Sequence, residues 1–311
     1  MKKILTAILV CCCTFASFAQ QDVQYTQYMY NPLLYNPAYT GSREALSCLG
    51  LYRYQWAGID GAPRDIFLSA HSPIASHMAV GLYLENDKIG IHNRFNVYGS
   101  YAYHIPIQEN AKLSLGLQAG ISAYSSDWSL LSSDDIVDTN DPAINATTIQ
   151  KKIAPNFGLG AYYYAKNFFV GAAAPRLLKG NIDNLQQLSK QERHYFVSGG
   201  YAHTFSDKFT LRPTVLLKAA THSPVEVDLN LTALLFNSFW IGAGYHTQDG
   251  MNLHTAYEFK NGLRIGYAYD ITLSRLADYS NGSHEIMIGF DLRRKDNDGK
   301  TNENVLSPRF F

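Results

Sequence analysis

From about residue 45 onward, apolar and polar side chains alternate with a period of two, and no stretch of comparable length keeps a helical period. Leu113, Leu115, Leu117, Ala119, Ile121 and Ala123 share one face; Lys112, Ser114, Gly116, Gln118, Gly120 and Ser122 share the other. Val225–Leu235, Leu263–Ile271 and Ile286–Leu292 alternate in the same way, and similar segments fall near 45–54, 64–72, 78–86, 93–104, 155–164, 167–174, 194–204, 209–219, 239–246 and 250–259. Side chains of a strand point alternately to its two faces, so each segment makes a ribbon with one oily side. The count comes to about 14, an even number of the kind bacterial membrane barrels use.

Alternation alone also suits a soluble sandwich or a lipocalin-like barrel, so the connections arbitrate. Those at 55–63, 87–92, 128–154, 175–193 and 273–283 read as long, whereas 73–77, 105–110, 165–166, 205–208, 236–238 and 260–262 are tight. Two connections of the long set, 220–224 and 247–249, are short. Long loops on one rim and tight turns on the other mark an antiparallel outer-membrane β-barrel, all-β, with both termini on the periplasmic side. Parity sharpens the local pairing. A three-residue turn over Lys260-Asn261-Gly262, with glycine left-handed, sets Glu258 opposite Arg264; folding about His222 sets Lys218 opposite Glu226. Both are expected as lumen salt bridges that support register. The inward faces carry Lys112, Arg212, Lys218 and Arg264 against Glu226, Asp228, Glu258, Asp270, Glu285 and Asp291, interleaved with Tyr98, Tyr162, Tyr164 and Phe169. Charges of both signs and many rings predict an occluded lumen, since a selective pore favours a belt of one sign.

Composition narrows the function classes. Lys+Arg and Asp+Glu both number 26, so no large basic surface is available for nucleic acid. Beyond the first twenty residues no run of about 18 apolar residues occurs, which leaves no transmembrane helix in the mature chain. Met1-Lys2-Lys3, the apolar stretch Ile4–Phe15 and Ser17-Phe18-Ala19 predict a signal peptide over 1–19, cut after Ala19. Val10 before Cys11 disfavours lipidation, and Cys48 alone then remains, so no internal disulfide forms. The ten histidines are scattered singly, and no metal, cofactor or catalytic constellation of the HExxH, GxSxG, P-loop or GxGxxG type occurs. Asp134, Asp135, Asp138 and Asp141 cluster in the longest loop, and Asp296-Asn297-Asp298-Gly299 lacks calcium-loop spacing; both read as hydrated acidic segments.

Two segments stand outside the barrel pattern. The first, 20–44, contains Gln24–Gly41 with two Asn-Pro steps, each asparagine turned away from helical backbone by the ring that follows. It is too irregular for a strand and reads as a plug or a periplasmic cap, with partner docking as the sharper reading through Tyr28, Tyr30 and Tyr35. The second, 293–311, is a polar periplasmic tail closing on Phe310-Phe311; the barrel itself spans 45–292. Either those rings or Ile286–Leu292 can serve as the insertion signal.

Tyr28-Met29-Tyr30-Asn31-Pro32-Leu33-Leu34-Tyr35-Asn36-Pro37-Ala38-Tyr39-Thr40-Gly41, then Tyr54-Gln55-Trp56-Ala57-Gly58 and Gly61-Ala62-Pro63, resemble the PorP/SprF family of the Bacteroidetes type IX secretion system. Ser283-His284-Glu285 before the last strand and the ending Ser307-Pro308-Arg309-Phe310-Phe311 fit the same family, so the resemblance covers essentially the whole mature chain. It implies an outer-membrane protein of a Gram-negative bacterium with a part in secretion and gliding motility and no enzymatic activity. Its implied role is to retain or present cell-surface adhesins that carry a type IX C-terminal sorting domain. Outer-membrane lipid, such an adhesin and periplasmic components of the machine are the expected partners. Trp56, with Ile59 in the same outer loop, is the expected anchor for a secreted partner; an aromatic-belt position is the competing reading for Trp56. A solute channel or porin is the alternative function.

Overall fold

The computed structural model describes residues 24–128, 149–179, 192–221, 223–247 and 250–292. The expected signal peptide, the C-terminal tail and both acidic segments lie outside these. The described chain is built from strands β1 (Leu46–Tyr54), β2 (Arg64–Pro73), β3 (Met78–Ile89), β4 (His92–Gln108), β5 (Ala111–Asp127), β6 (Ile149–Ala165), β7 (Phe168–Arg176), β8 (His194–Tyr201), β9 (His203–Ser206), β10 (Phe209–Ala220), β11 (Glu226–Leu235), β12 (Phe239–His246), β13 (Gly250–Glu258), β14 (Leu263–Thr272) and β15 (Ser283–Leu292). Apart from β8 and β9, each pairs antiparallel with its sequence neighbours, and β1 closes the ring against β15, Leu46 opposite Leu292 and Tyr54 opposite His284. β8 and β9 are one rung broken at Ala202, since both pair with β10. The result is a closed 14-stranded antiparallel barrel.

Closure is what the solvent demands. Hydrocarbon offers no partner for N–H or C=O, so a membrane-spanning sheet must leave no edge. The side-chain pattern matches that setting. Alternate residues such as Leu115, Leu117 (62% exposed), Leu229, Leu231, Ile286 and Ile288 point outward and stay uncovered by protein, whereas their neighbours Ser114, Gln118, Asp228, Asn230, Glu285 and Met287 are buried inside. A soluble protein would not leave so many large aliphatic groups bare on every strand.

The expected turns on the terminal rim are present. Phe259 N–H donates to Leu263 O, and Gly262 has φ +90° at the end of a three-residue loop, which sets Glu258 opposite Arg264. On the other rim the connections differ from expectation at two places. Residues 87–89 and 92 belong to β3 and β4, joined by a two-residue turn at Gly90 (φ +54°) and Ile91, and 149–154 belong to β6. These stretches read as loops because Asp87, Lys88, Gln150, Lys151 and Lys152 break the oily alternation. Strands that rise beyond the lipid have no such pattern to keep. β4, β5 and β6 are 17 residues each, where about 9–11 suffice to cross a bilayer. The surplus forms stiff arms on the long-loop rim, tied by ladder bonds and by an Arg94–Asp87 pair at 3.0 Å.

A charge placed on the outward face at mid-height tests which side meets lipid. Leu231→Arg, half-way along β11, is expected to cost about 2–4 kcal/mol. Denaturant titration of refolding into lipid vesicles would read this; an unchanged midpoint contradicts the assignment of that face.

Candidate functional site: a lumen filled by the chain's own strap

Residues 24–44 occupy the inside of the barrel. The strap contains three single 3-10 turns, Tyr28–Tyr30, Pro32–Leu34 and Pro37–Tyr39. The two Asn-Pro steps create the second and third. Asn31 (φ −151°) and Asn36 (φ −135°) are extended, proline takes the first helical position, and the asparagine Oδ1 accepts from the backbone N–H two residues on, Leu33 at 3.3 Å and Ala38 at 3.0 Å. Such capping lets an irregular segment satisfy its own backbone where no ladder is available.

The strap's remaining polar groups are met by the wall. Thr26 and Gln27 N–H donate to the Glu285 carboxylate, each at 2.8 Å, and Thr26 Oγ1 donates to Asp270 at 2.7 Å. Arg53 completes that cluster, 2.6 Å from Asp270 and 3.3 Å from Glu285, with all three side chains almost wholly buried. Further down, Asn31 donates to Ser69 Oγ, Asn36 to Ala161 O, and Gly41 N–H to His71 Nδ1. At the terminal rim Arg43 grips Asp291 at 2.6 Å, Arg264 reaches the same carboxylate at 3.0 Å, and Glu44 pairs with Lys112. The partners come from β1 through β6 and from β11, β14 and β15, so the strap braces the ring rather than one wall.

Rings fill the rest. Tyr25, Phe67, Tyr83 and Tyr98 form a chain with centroid spacings of 5.9, 5.5 and 5.2 Å. Tyr30 lies edge-on to Trp240 at 6.0 Å, and the Arg212 guanidinium sits over both, 5.3 and 4.9 Å from the centroids. Tyr39 packs on Tyr162 and His71, and Tyr35 stacks on Phe196. The wall is also cut back to admit the strap. A Cβ on Gly116 would lie 2.3 Å from Ala38 N, one on Gly160 2.1 Å from Asn36 Oδ1, and one on Gly266 2.5 Å from Gln27 Oε1. Those glycines are inward strand positions whose missing side chains make room for a particular neighbour.

Towards the long-loop rim the filling stops short and leaves a cavity. Gln24, Tyr25, Tyr28, Leu34 and Tyr35 of the strap line it together with Tyr83, Glu85, Arg94, Arg176, Phe196 and Lys218 of the wall. Beside it runs a buried polar chain: Lys218 is 2.6 Å from Asp228, Asp228 is 2.8 Å from His246, and Asn252 joins His246 to His254.

The residues singled out in the sequence fall as follows. Lys218 is opposite Glu226 and Glu258 opposite Arg264 in register, but the ions reach past those neighbours. Lys218 binds Asp228 and Arg264 binds Asp291, while Glu226 accepts from Gln24 of the strap. A long side chain on a twisted ladder reaches its diagonal neighbour as easily as the one directly opposite, and for Lys218 the diagonal Asp228 is the more deeply buried carboxylate. Tyr28, Tyr30 and Tyr35 are buried in the lumen, Tyr28 and Tyr35 beside the cavity. Trp56 and Ile59 are half-buried on the β1–β2 loop. Arg53 gave no sequence signal beyond strand parity, and Arg43, in the strap, gave none, because their partners are fixed only once the strap is inside. Among the described residues no group of three or more His, Cys, Asp or Glu side chains is placed to hold a metal ion, and Cys48 is a free thiol.

The sequence model of the family described as "Type IX secretion system membrane protein PorP/SprF" matches residues 17–290. The chain belongs to the PorP/SprF family. As a member it is a membrane component of type IX secretion, and its barrel places it in the outer membrane. No curated protein matches it. Among solved structures, the CymD monoaromatic hydrocarbon channel superposes with a TM-score of 0.53 at 12% identity, over 89% of this chain and 95% of the channel. The Ralstonia pickettii toluene transporter TbuX gives 0.52 at 11% identity, over 86% and 93%. At these identities the likeness is one of fold: this chain shares an outer-membrane barrel architecture with these channels.

Arg53 tests the strap's upper anchor. Arg53→Met leaves Asp270 and Glu285 as uncompensated buried carboxylates, a change expected to cost about 3–5 kcal/mol. Loss of the heat-resistant folded band on gels, or a matching fall in the refolding midpoint, is the expected readout; wild-type stability would contradict the cluster.

Proposed function

We propose that this barrel works as a binding partner for secreted protein and not as an enzyme or an open pore: it holds an adhesin bearing a type IX C-terminal sorting domain and helps to export it or anchor it at the cell surface. Family membership supplies the secretion setting. The observation that carries the reading is the filled lumen, since a barrel whose interior is spent on its own strap keeps its rims, not its bore, for other proteins. The long-loop rim is the extracellular one, raised by the arms of β4, β5 and β6, and the opposite rim faces the periplasmic components of the machine.

On the outer rim the β1–β2 loop is the candidate contact. Trp56 has φ +49°, a left-handed backbone that a bulky L-residue adopts only under constraint, at a cost of order 1–3 kcal/mol. Trp56 N–H donates to Ser283 Oγ at 3.1 Å, Ala57 N–H to Gly282 O at 2.8 Å, and Asn281 N–H to Ala57 O at 2.7 Å. The loop is thereby stapled to the β14–β15 connection, and Trp56 and Ile59 are presented from a rigid base. A partner anchored there loses little entropy on binding.

Deletion of the gene should leave at least one large adhesin unexported or shed into the medium. Unchanged surface display of every such protein would refute the role. Trp56→Ala should weaken adhesin retention about tenfold or more at an unaltered barrel level; full retention would move the contact elsewhere on the rim.

A further inference from the structure

The strap has a direction. Its two ends are fixed by ionic and amide contacts at opposite rims. At Gln24 the side-chain amide donates to Glu226, the first residue of β11, and Tyr25 Oη lies 3.2 Å from Glu85, near the far end of β3. Thr26 and Gln27 bind Asp270 and Glu285, the end of β14 and the start of β15. All four carboxylates belong to the long-loop side. At the other end, Gly41 meets His71 near the close of β2, Arg43 meets Asp291 near the close of β15, and Glu44 meets Lys112 at the start of β5. These belong to the tight-turn side, where β1 departs at Leu46.

We propose that the strap is threaded through its own barrel with its amino-terminal end at the extracellular mouth, not on the periplasmic side where strand number and loop lengths alone put both termini, and that it stays there as a fixed inner stave. The chain therefore crosses the bilayer once inside the lumen before β1 begins, and Gln24, Tyr25 and Tyr28 form part of the wall of the outward cavity. Anything seated in that cavity from outside touches the strap and not the ring alone.

Three features argue for a stave over a removable plug. The strap's carboxyl end runs straight into β1, so it cannot leave towards the cell surface without unpicking the barrel's closing strand. Withdrawal towards the periplasm would strip Arg53, Asp270 and Glu285 of partners that sit in a nearly dry cluster. The glycine notches at Gly116, Gly160 and Gly266 fit strap atoms, and at Gly116 it is the strap backbone, Ala38 N, that lies 2.3 Å from where a Cβ would be, so strap and wall are in direct contact there with no room for a side chain between them. The proposal does not depend on which partner the barrel serves.

Cysteine accessibility in living cells tests it. In a Cys48→Ser background, Gln24→Cys should react with a charged, membrane-impermeant thiol reagent on intact cells as fully as after permeabilisation of the outer membrane. Glu44→Cys should react only after permeabilisation. The reverse pattern overturns the proposal. If loops shield Gln24→Cys in both preparations, oxidative cross-linking of Gln24→Cys with Glu226→Cys decides. A gel-shifted intramolecular product upholds the threading, and its absence overturns it. Adhesin display that survives the locked disulfide supports a fixed stave, whereas display that is lost under oxidation and regained on reduction shows that the strap must move.

Discussion

Lipid tails cannot accept or donate a hydrogen bond, and the architecture follows from that one deficit. Every strand must be paired on both sides within the hydrocarbon, so the sheet closes, with β15 against β1 as the seam. Closure then creates a second difficulty on the inside. A ring of this size encloses charged and amide side chains, among them Arg53, Arg212, Asp228, Asp270 and Glu285, which need either water or partners. In this chain some partners come from the wall itself, as Lys218 and His246 do for Asp228, and others from a segment of the same polypeptide. The strap satisfies Glu285 and Asp270 above and Asp291 below, and it fills the remaining space with tyrosines.

Tyrosine suits that task for a physical reason. Each ring brings a large apolar surface with one polar tip, so it can pack against Phe67, Trp240 or Phe196 while its hydroxyl meets the polar wall. The Asn-Pro steps do the complementary work on the backbone, folding the strap into capped turns that need few ladder bonds. An interior assembled this way leaves the rims as the surfaces on which a type IX secretion component of the PorP/SprF family can meet other proteins. The raised arms and the stapled Trp56 loop lie on the rim that faces outward.

The period-two alternation made the barrel legible in the sequence, because lipid-facing positions must be apolar at every second residue and tolerate few exceptions. The Lys260–Gly262 turn was legible for a related reason: parity allows only one loop length that keeps Phe259 and Leu263 on the same side. Legibility failed where lipid stopped dictating the pattern. The upper parts of β3 and β6 carry Asp87 and Lys152 and read as loop, although ladder bonds continue through them. It failed again for the ion pairs. Register placed Lys218 by Glu226 and Arg264 by Glu258, but the choice among nearby carboxylates depends on depth and on the strap, neither of which is encoded in strand parity. The strap's irregularity was plain from Asn31-Pro32 and Asn36-Pro37, whereas its lumen position and direction emerge only from contacts between residues more than two hundred positions apart, such as Thr26 with Asp270.

The claim that the bore is occupied, and that this family member therefore serves secretion through its rims, meets its most direct test in electrical recording. Purified protein reconstituted in a planar bilayer should show no steady open level, and removal of the strap's anchors should be what creates one. A stable, large conductance from the unaltered protein would mean that ions pass where the strap is placed, and would favour the solute-channel reading over the one developed above.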